Sequence, residues 1–139
     1  MGDSLHDRIA QSFAKQTMIQ TLGATLVSAE PGCVVIEAPV GRAFLQQMGH
    51  AHAGFVFALG DATAGHAALS VVAPEVKVVT AEMKINYLAP ANGDRLRATG
   101  RVIRPGRRLI VVTAEVHSLK DGTETLTALL QGSIVPIAP

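Results

Sequence analysis

Asp61 stands alone in the apolar, small-residue run GHAHAGFVFALGDATAGHAALS, Gly49 to Ser70. On a helix its neighbours three and four residues away are Phe57, Ala58, Ala64 and Gly65, none of which pairs with a carboxylate. Such an acid is either structural, exposed or matched to a distant Arg, or is reserved for chemistry. Three histidines lie close in sequence. His50 and His52 form an H-x-H pair, and His66 follows Asp61 by five residues, so a His-His-Asp metal set can be drawn. Five residues, however, carry His66 about 140° off the Asp61 face of a helix. No metal is expected. His52 instead reads as the residue that fixes the loop-to-helix corner through a backbone hydrogen bond, and His50 as facing ligand or solvent. A second chemical feature is basic: six of the eight Arg residues fall between Arg95 and Arg108. Most read as a solvated strand face, with Arg104, Arg107 and Arg108 around a Pro-Gly turn free to meet phosphate groups.

The elements that must hold these residues follow from periodicity. SLHDRIAQSFAKQTMIQTLG opens as a helix, with Ser4 and Asp7 at capping-box spacing, Leu5, Ile9 and Phe13 on one stripe, and Gly23 to close it. ATLVSA and CVVIEAPV are short strands joined by a turn at Glu30-Pro31-Gly32. Gly41 to Ala51 is a loop. His52 to about Val71 is the long central helix, apolar on most sides and therefore buried under a sheet or an interface. Beyond it, VKVVTAEMKINYLAP places Val79, Ala81, Met83, Ile85 and Tyr87 on one face, and Thr80, Glu82, Lys84 and Asn86 on the other. DRLRATGRVI alternates likewise, with Leu96, Ala98, Gly100 and Val102 inward. Turns at Arg104-Pro105-Gly106-Arg107 and Lys120-Asp121-Gly122-Thr123 add two more antiparallel strands. The order α-β-β-α-β-β-β-β predicts one α+β domain over residues 1–139, a curved antiparallel sheet around a central helix.

Composition narrows the function classes. A chain 48% hydrophobic and 17% charged has a real core and is not disordered. A net charge of +1, with no aromatics interleaved among the Arg residues, disfavours nucleic acid and acidic membranes as partners. The single Cys33 forbids an intrachain disulfide and fits a reducing compartment. The N-terminus lacks an apolar signal core, and the longest apolar stretch carries Asp61 and His66, so a cytoplasmic protein is expected. There is no P-loop, dinucleotide-binding glycine pattern or G-x-S-x-G elbow.

A helix wrapped by an antiparallel sheet is the hotdog arrangement, and the central segment resembles a family built on it. His52-Ala53-Gly54, with Leu59 and then Asp61 seven residues after Gly54, resembles the HGG-x-x-x-x-L-x-D signature of hotdog-fold acyl-CoA thioesterases. The subgroup it is most similar to is the one typified by the phenylacetate-degradation thioesterase (PaaI-like). AEMKINYLAPA resembles the strand after the helix in those enzymes, and the likeness spans roughly Leu45 to Val135. It implies that Asp61 is the catalytic carboxylate, acting as nucleophile or as base. It implies that the Ala53 backbone N–H, beside Gly54, polarises the thioester carbonyl. Gln46 falls on a position that assists at that carbonyl or orients water, and Thr80 on a Ser/Thr position near the site. The strand alternation nevertheless turns Thr80 away from the apolar face, so that an interface must bring it in. The family's HGG is HAG here, and Gln46 stands where Asn is common.

The resemblance further implies a homodimer or a dimer of dimers (a homotetramer), with Asp61 working against the partner's Ala53 and Gln46. Phe55, Phe57 and Met48 are expected to shape the acyl pocket, with His50, His52, Gly54, Phe57, Arg104, Arg107 and Arg108 as substrate-binding residues. No cofactor is required beyond CoA as part of the substrate. The expected activity is hydrolysis of a small aromatic or short- or medium-chain acyl-CoA. The alternatives are a non-catalytic acyl-CoA-binding hotdog protein and an enoyl-CoA hydratase, the latter lacking its Asp/His motif.

Overall fold

The computed structural model describes residues 2–139. It begins with α1 (Leu5–Lys15) and α2 (Thr17–Thr21), where the sequence predicts one continuous helix. The Ser4–Asp7 capping box forms in both directions, and the helix it starts buries Ile9 and Phe13. The break falls at Gln16, whose backbone is extended (φ −83°, ψ 91°). Its physical cause is the stripe. Four residues past Phe13 lies the polar Thr17, whereas the next apolar residues that need burial are Ile19 and Leu22. Re-aiming the chain buries both, and the Gln20 side-chain amide donates to the Phe13 carbonyl at 2.9 Å across the gap.

Strands β1 (Thr25–Glu30) and β2 (Cys33–Pro39) follow as a hairpin, then a single 3₁₀ turn (Arg42–Phe44), then the central helix α3 (Ala53–Leu69). The remaining strands are β3 (Lys77–Tyr87), β4 (Arg95–Pro105), β5 (Ile110–Lys120) and β6 (Thr123–Ile137). All six form one antiparallel sheet in the order β1-β2-β4-β5-β6-β3. The β5–β6 turn is tight because Asp121 (φ 50°) and Gly122 (φ 79°) both take the left-handed conformation that a two-residue hairpin demands.

Alternation delivers one side of the sheet to α3. Val34, Ile36 and Ala38 from β2, Leu96 and Ala98 from β4, Ile110, Val112, Ala114 and Val116 from β5, and Ala128, Leu130 and Ile134 from β6 are buried against Phe55, Val56 and Leu59. Gly100 allows the closest approach: a side chain there would collide with the Thr63 backbone. Among the described residues no helix is long and apolar enough to cross a membrane.

One strand departs from the predicted alternation. Thr80 pairs with Ile134 and Glu82 with Ser133, leaving Ala81 as an extra residue, a β-bulge. Directly opposed residues share a face, so Thr80 lies on the Ile134 side, toward α3. Beyond the bulge the parity switches and Met83, Ile85 and Tyr87 face inward. The expectation that Thr80 points away from the helix is therefore corrected, and no interface is needed to bring it in.

Candidate active site

Asp61 sits on the half-exposed side of α3, over a cleft of about 680 Å³ between α1, α3 and β3. Thr80 Oγ1 donates to Asp61 Oδ1 at 2.8 Å. Among the described residues the carboxylate makes no ion pair. Arg8 lines the same cleft but gives its Nη2 to the Val72 carbonyl at 3.3 Å. Among the described residues Asp61 is thus matched to no Arg, and its Oδ2 has no hydrogen-bond donor.

The start of α3 is shaped by His52. Its Nδ1 accepts the Gly54 N–H at 2.8 Å, and its carbonyl accepts the N–H groups of Phe55 (3.0 Å) and Val56 (3.1 Å). Accepting at Nδ1 puts the proton of the neutral imidazole on Nε2. The corner role predicted for His52 is thus met by its ring as well as by its backbone. Ala53 is the one first-turn residue whose N–H finds no acceptor among the described residues. That N–H lies at the positive end of the helix, where developing negative charge is stabilised.

A second cleft, about 550 Å³, opens at this helix end. It is lined by Gln46, Met48, His50, His52, Ala53 and Tyr87 among others. Gln46 Oε1 accepts the N–H groups of Met48 (2.6 Å) and His50 (3.2 Å), which braces the loop and leaves Nε2 as the group's available donor. Met48 is largely exposed there. A third, smaller hollow of about 260 Å³ takes Gly54, Phe55 and Phe44 into its wall. Phe57 packs half-buried against the core and lines none of these three spaces.

The two halves of the predicted site do not meet within one chain. Eight residues separate Ala53 from Asp61, roughly 12 Å along the helix axis at 1.5 Å per residue. They also open into different clefts. A carbonyl held by Ala53 is out of reach of the same chain's Asp61.

The arginines divide. Arg95 and Arg97 pair with Glu37, and Arg97 also meets Glu124; Arg101 contacts the Cys33 sulfur at 3.3 Å. Arg104, Arg107 and Arg108 stay exposed and without acidic partners among the described residues. Pro105, Ile110, Ile134 and Thr80 form one cross-strand row. The turn therefore lies three strand spacings, roughly 14 Å, from Thr80 on the same sheet.

Two residues gain a place that periodicity did not assign. Tyr87 donates its hydroxyl to the Ala53 carbonyl at 2.9 Å, and its partial burial raises its pKa, so it remains a donor. His66 is buried, with Nδ1 2.7 Å from the Ala62 carbonyl and its ring edge-on to Phe13. Burial depresses its pKa, the backbone bond opposing this in part, and among the described residues its Nε2 has no partner. It lines the inner wall of the Asp61 cleft. Among the described residues no three His, Cys, Asp or Glu side chains gather as a metal set.

Comparison with known proteins places the chain in a family. The thioesterase superfamily model matches residues 48–125, more than half the chain. Acyl-coenzyme A thioesterase 13 of Homo sapiens is 30% identical over 126 residues, 88% of this chain and 88% of that protein. The crystal structure of a thioesterase family protein from Silicibacter pomeroyi superposes with a TM-score of 0.96 at 36% identity, over 98% of this chain and 100% of that one. The E. coli PaaI protein from the phenylacetic acid degradation operon shares the fold, with a TM-score of 0.84 at 24% identity over 97% of both chains. On these matches this chain belongs to the thioesterase superfamily and is a thioester hydrolase of the hotdog fold.

Proposed function

We propose that the protein hydrolyses acyl-CoA thioesters with a small aromatic or a short- or medium-chain acyl group, at a site shared by two copies of the chain. The observation that carries this reading is the pairing of features on α3. Among the described residues Asp61 is held by one hydroxyl and by no ion pair, and Ala53 presents an unused N–H at the positive end of the same helix.

The Ala53 N–H of one copy receives the thioester carbonyl oxygen, assisted by Gln46 Nε2. Asp61 of the other copy, through Oδ2, takes a proton from water as the water oxygen bonds to the carbonyl carbon. Negative charge moves onto the carbonyl oxygen, where the helix end stabilises it. Collapse breaks the C–S bond, and the CoA sulfur leaves and takes up the proton. The separation of roughly 12 Å along a single helix supports the requirement for two copies. The second copy pairs along β3, which ends the sheet and presents Val79 and Tyr87 half-exposed. Arg104, Arg107 and Arg108 meet the CoA phosphates.

Asp61→Asn tests the reading, because it keeps the shape and the Thr80 contact while abolishing the base. Release of CoA thiol from aryl, short and medium acyl-CoA substrates is expected to fall by roughly 10²–10⁴. Full turnover in a folded Asp61→Asn protein would sink the proposal.

A further inference from the structure

Strand β3 carries two hydroxyls that reach α3, at Thr80 and Tyr87. They are seven residues apart, an odd spacing that would place them on opposite faces of a regular strand. The extra residue at Ala81 restores them to the same face. The result is a strand fastened to the helix at two points, Thr80 on the Asp61 carboxylate and Tyr87 on the Ala53 carbonyl.

The second fastening is not needed to satisfy the backbone. A first-turn carbonyl already receives the helical N–H four residues on. Nor does packing require it, since a phenylalanine would fill the same volume. What the bond does is confine Ala53. Tyr87 holds its carbonyl, and His52 Nδ1 holds the N–H of the next residue, Gly54. Both restraints hold the peptide unit that follows Ala53, and the free Ala53 N–H lies one Cα before it, in the unit whose His52 carbonyl accepts from Phe55 and Val56, on the cleft that Tyr87 itself lines. A donor so held needs no reorganisation as charge develops.

We infer that Tyr87 is a positioning residue for thioester hydrolysis, its hydroxyl fixing the first turn of α3 so that the Ala53 N–H is aimed at the substrate carbonyl. The inference rests on the function proposed above and adds a residue to it. Its action is on the transition state more than on substrate binding, so kcat carries the effect and KM does not.

The test is Tyr87→Phe, with kcat, KM and melting temperature measured together. A fall in kcat of about tenfold, with KM within about twofold, is expected. The second readout is the infrared carbonyl stretch of an acyl-CoA bound to the hydrolytically silent Asp61→Asn protein. Hydrogen bonding from Ala53 lowers that frequency, and adding Tyr87→Phe is expected to return it toward the value of free thioester. Unchanged kcat overturns the inference, as does a lower kcat with an unmoved carbonyl stretch. If Tyr87→Phe fails to fold, 4-aminophenylalanine and 4-methylphenylalanine at position 87 are compared instead. Higher kcat with the amino donor supports the inference, and equal kcat overturns it. Failure of the underlying reading is separable: there, Asp61→Asn itself retains activity.

Discussion

Replacing Ala53 with proline removes one N–H and little else. Ala53 is the first residue of α3, the position at which a helix best tolerates proline. The preceding His52 already has φ −61° and ψ 142°, inside the region that a following proline imposes. The lost N–H makes no hydrogen bond within the described residues, and the His52 cap on Gly54 is untouched. Stability should therefore change by no more than about 1 kcal/mol, read as the melting temperature by circular dichroism. Catalysis should not survive so well. One preorganised donor to a developing oxyanion is worth about 10²–10³ in rate, and the proline ring also occupies the space of the N–H. CoA release at saturating substrate should fall at least that far. Co-expression with Asp61→Asn sharpens the test: random pairing makes about half the dimers mixed, each with one intact site, so about a quarter of wild-type activity should return. Full kcat in a folded Ala53→Pro protein would refute the role given to this N–H. Failure of the mixture to exceed its parents would refute the shared site.

Other outcomes follow from the same geometry. Thr80→Val keeps the shape of the side chain but frees the Asp61 carboxylate, and kcat should fall by roughly tenfold with the melting temperature nearly unchanged. His66 has a folded pKa below its ordinary value of 6.5 because burial disfavours the cation. Its contribution to stability is thus present above that value and is lost as pH falls from about 6.5 toward the depressed folded value. Melting temperature should decline over that window, and His66→Leu should flatten the decline; a curve of the same slope would contradict it. Replacing Arg104, Arg107 and Arg108 together with Gln should raise KM for acyl-CoA, and more so at low salt, while leaving turnover of the corresponding N-acetylcysteamine thioester unaffected.

The sequence by itself determined what depends on near neighbours. The Ser4–Asp7 box, the turns at Pro31-Gly32 and Asp121-Gly122, and the start of α3 at His52 are interactions closed within a few residues, so residue type and spacing suffice. Alternation in β4 was legible for a related reason: Leu96, Ala98 and Gly100 all turn to one buried face of a regular strand. The solitary charge of Asp61 marked it without any structure. Only the tertiary structure decided the rest. The bulge at Ala81 is permitted from another strand, where a side chain on Gly132 would collide with the Glu82 carbonyl, and nothing near Ala81 announces it. That one residue reverses the face of Thr80 relative to Tyr87 and so brings two hydroxyls to α3. The break at Gln16 likewise reflects where Ile19 and Leu22 find their core. The lack, among the described residues, of an ion pair to Asp61 and the opening of Ala53 and Asp61 into separate clefts are facts about distant segments. A linear pattern fixes which face a side chain takes along its own element, and packing between elements fixes what that face meets.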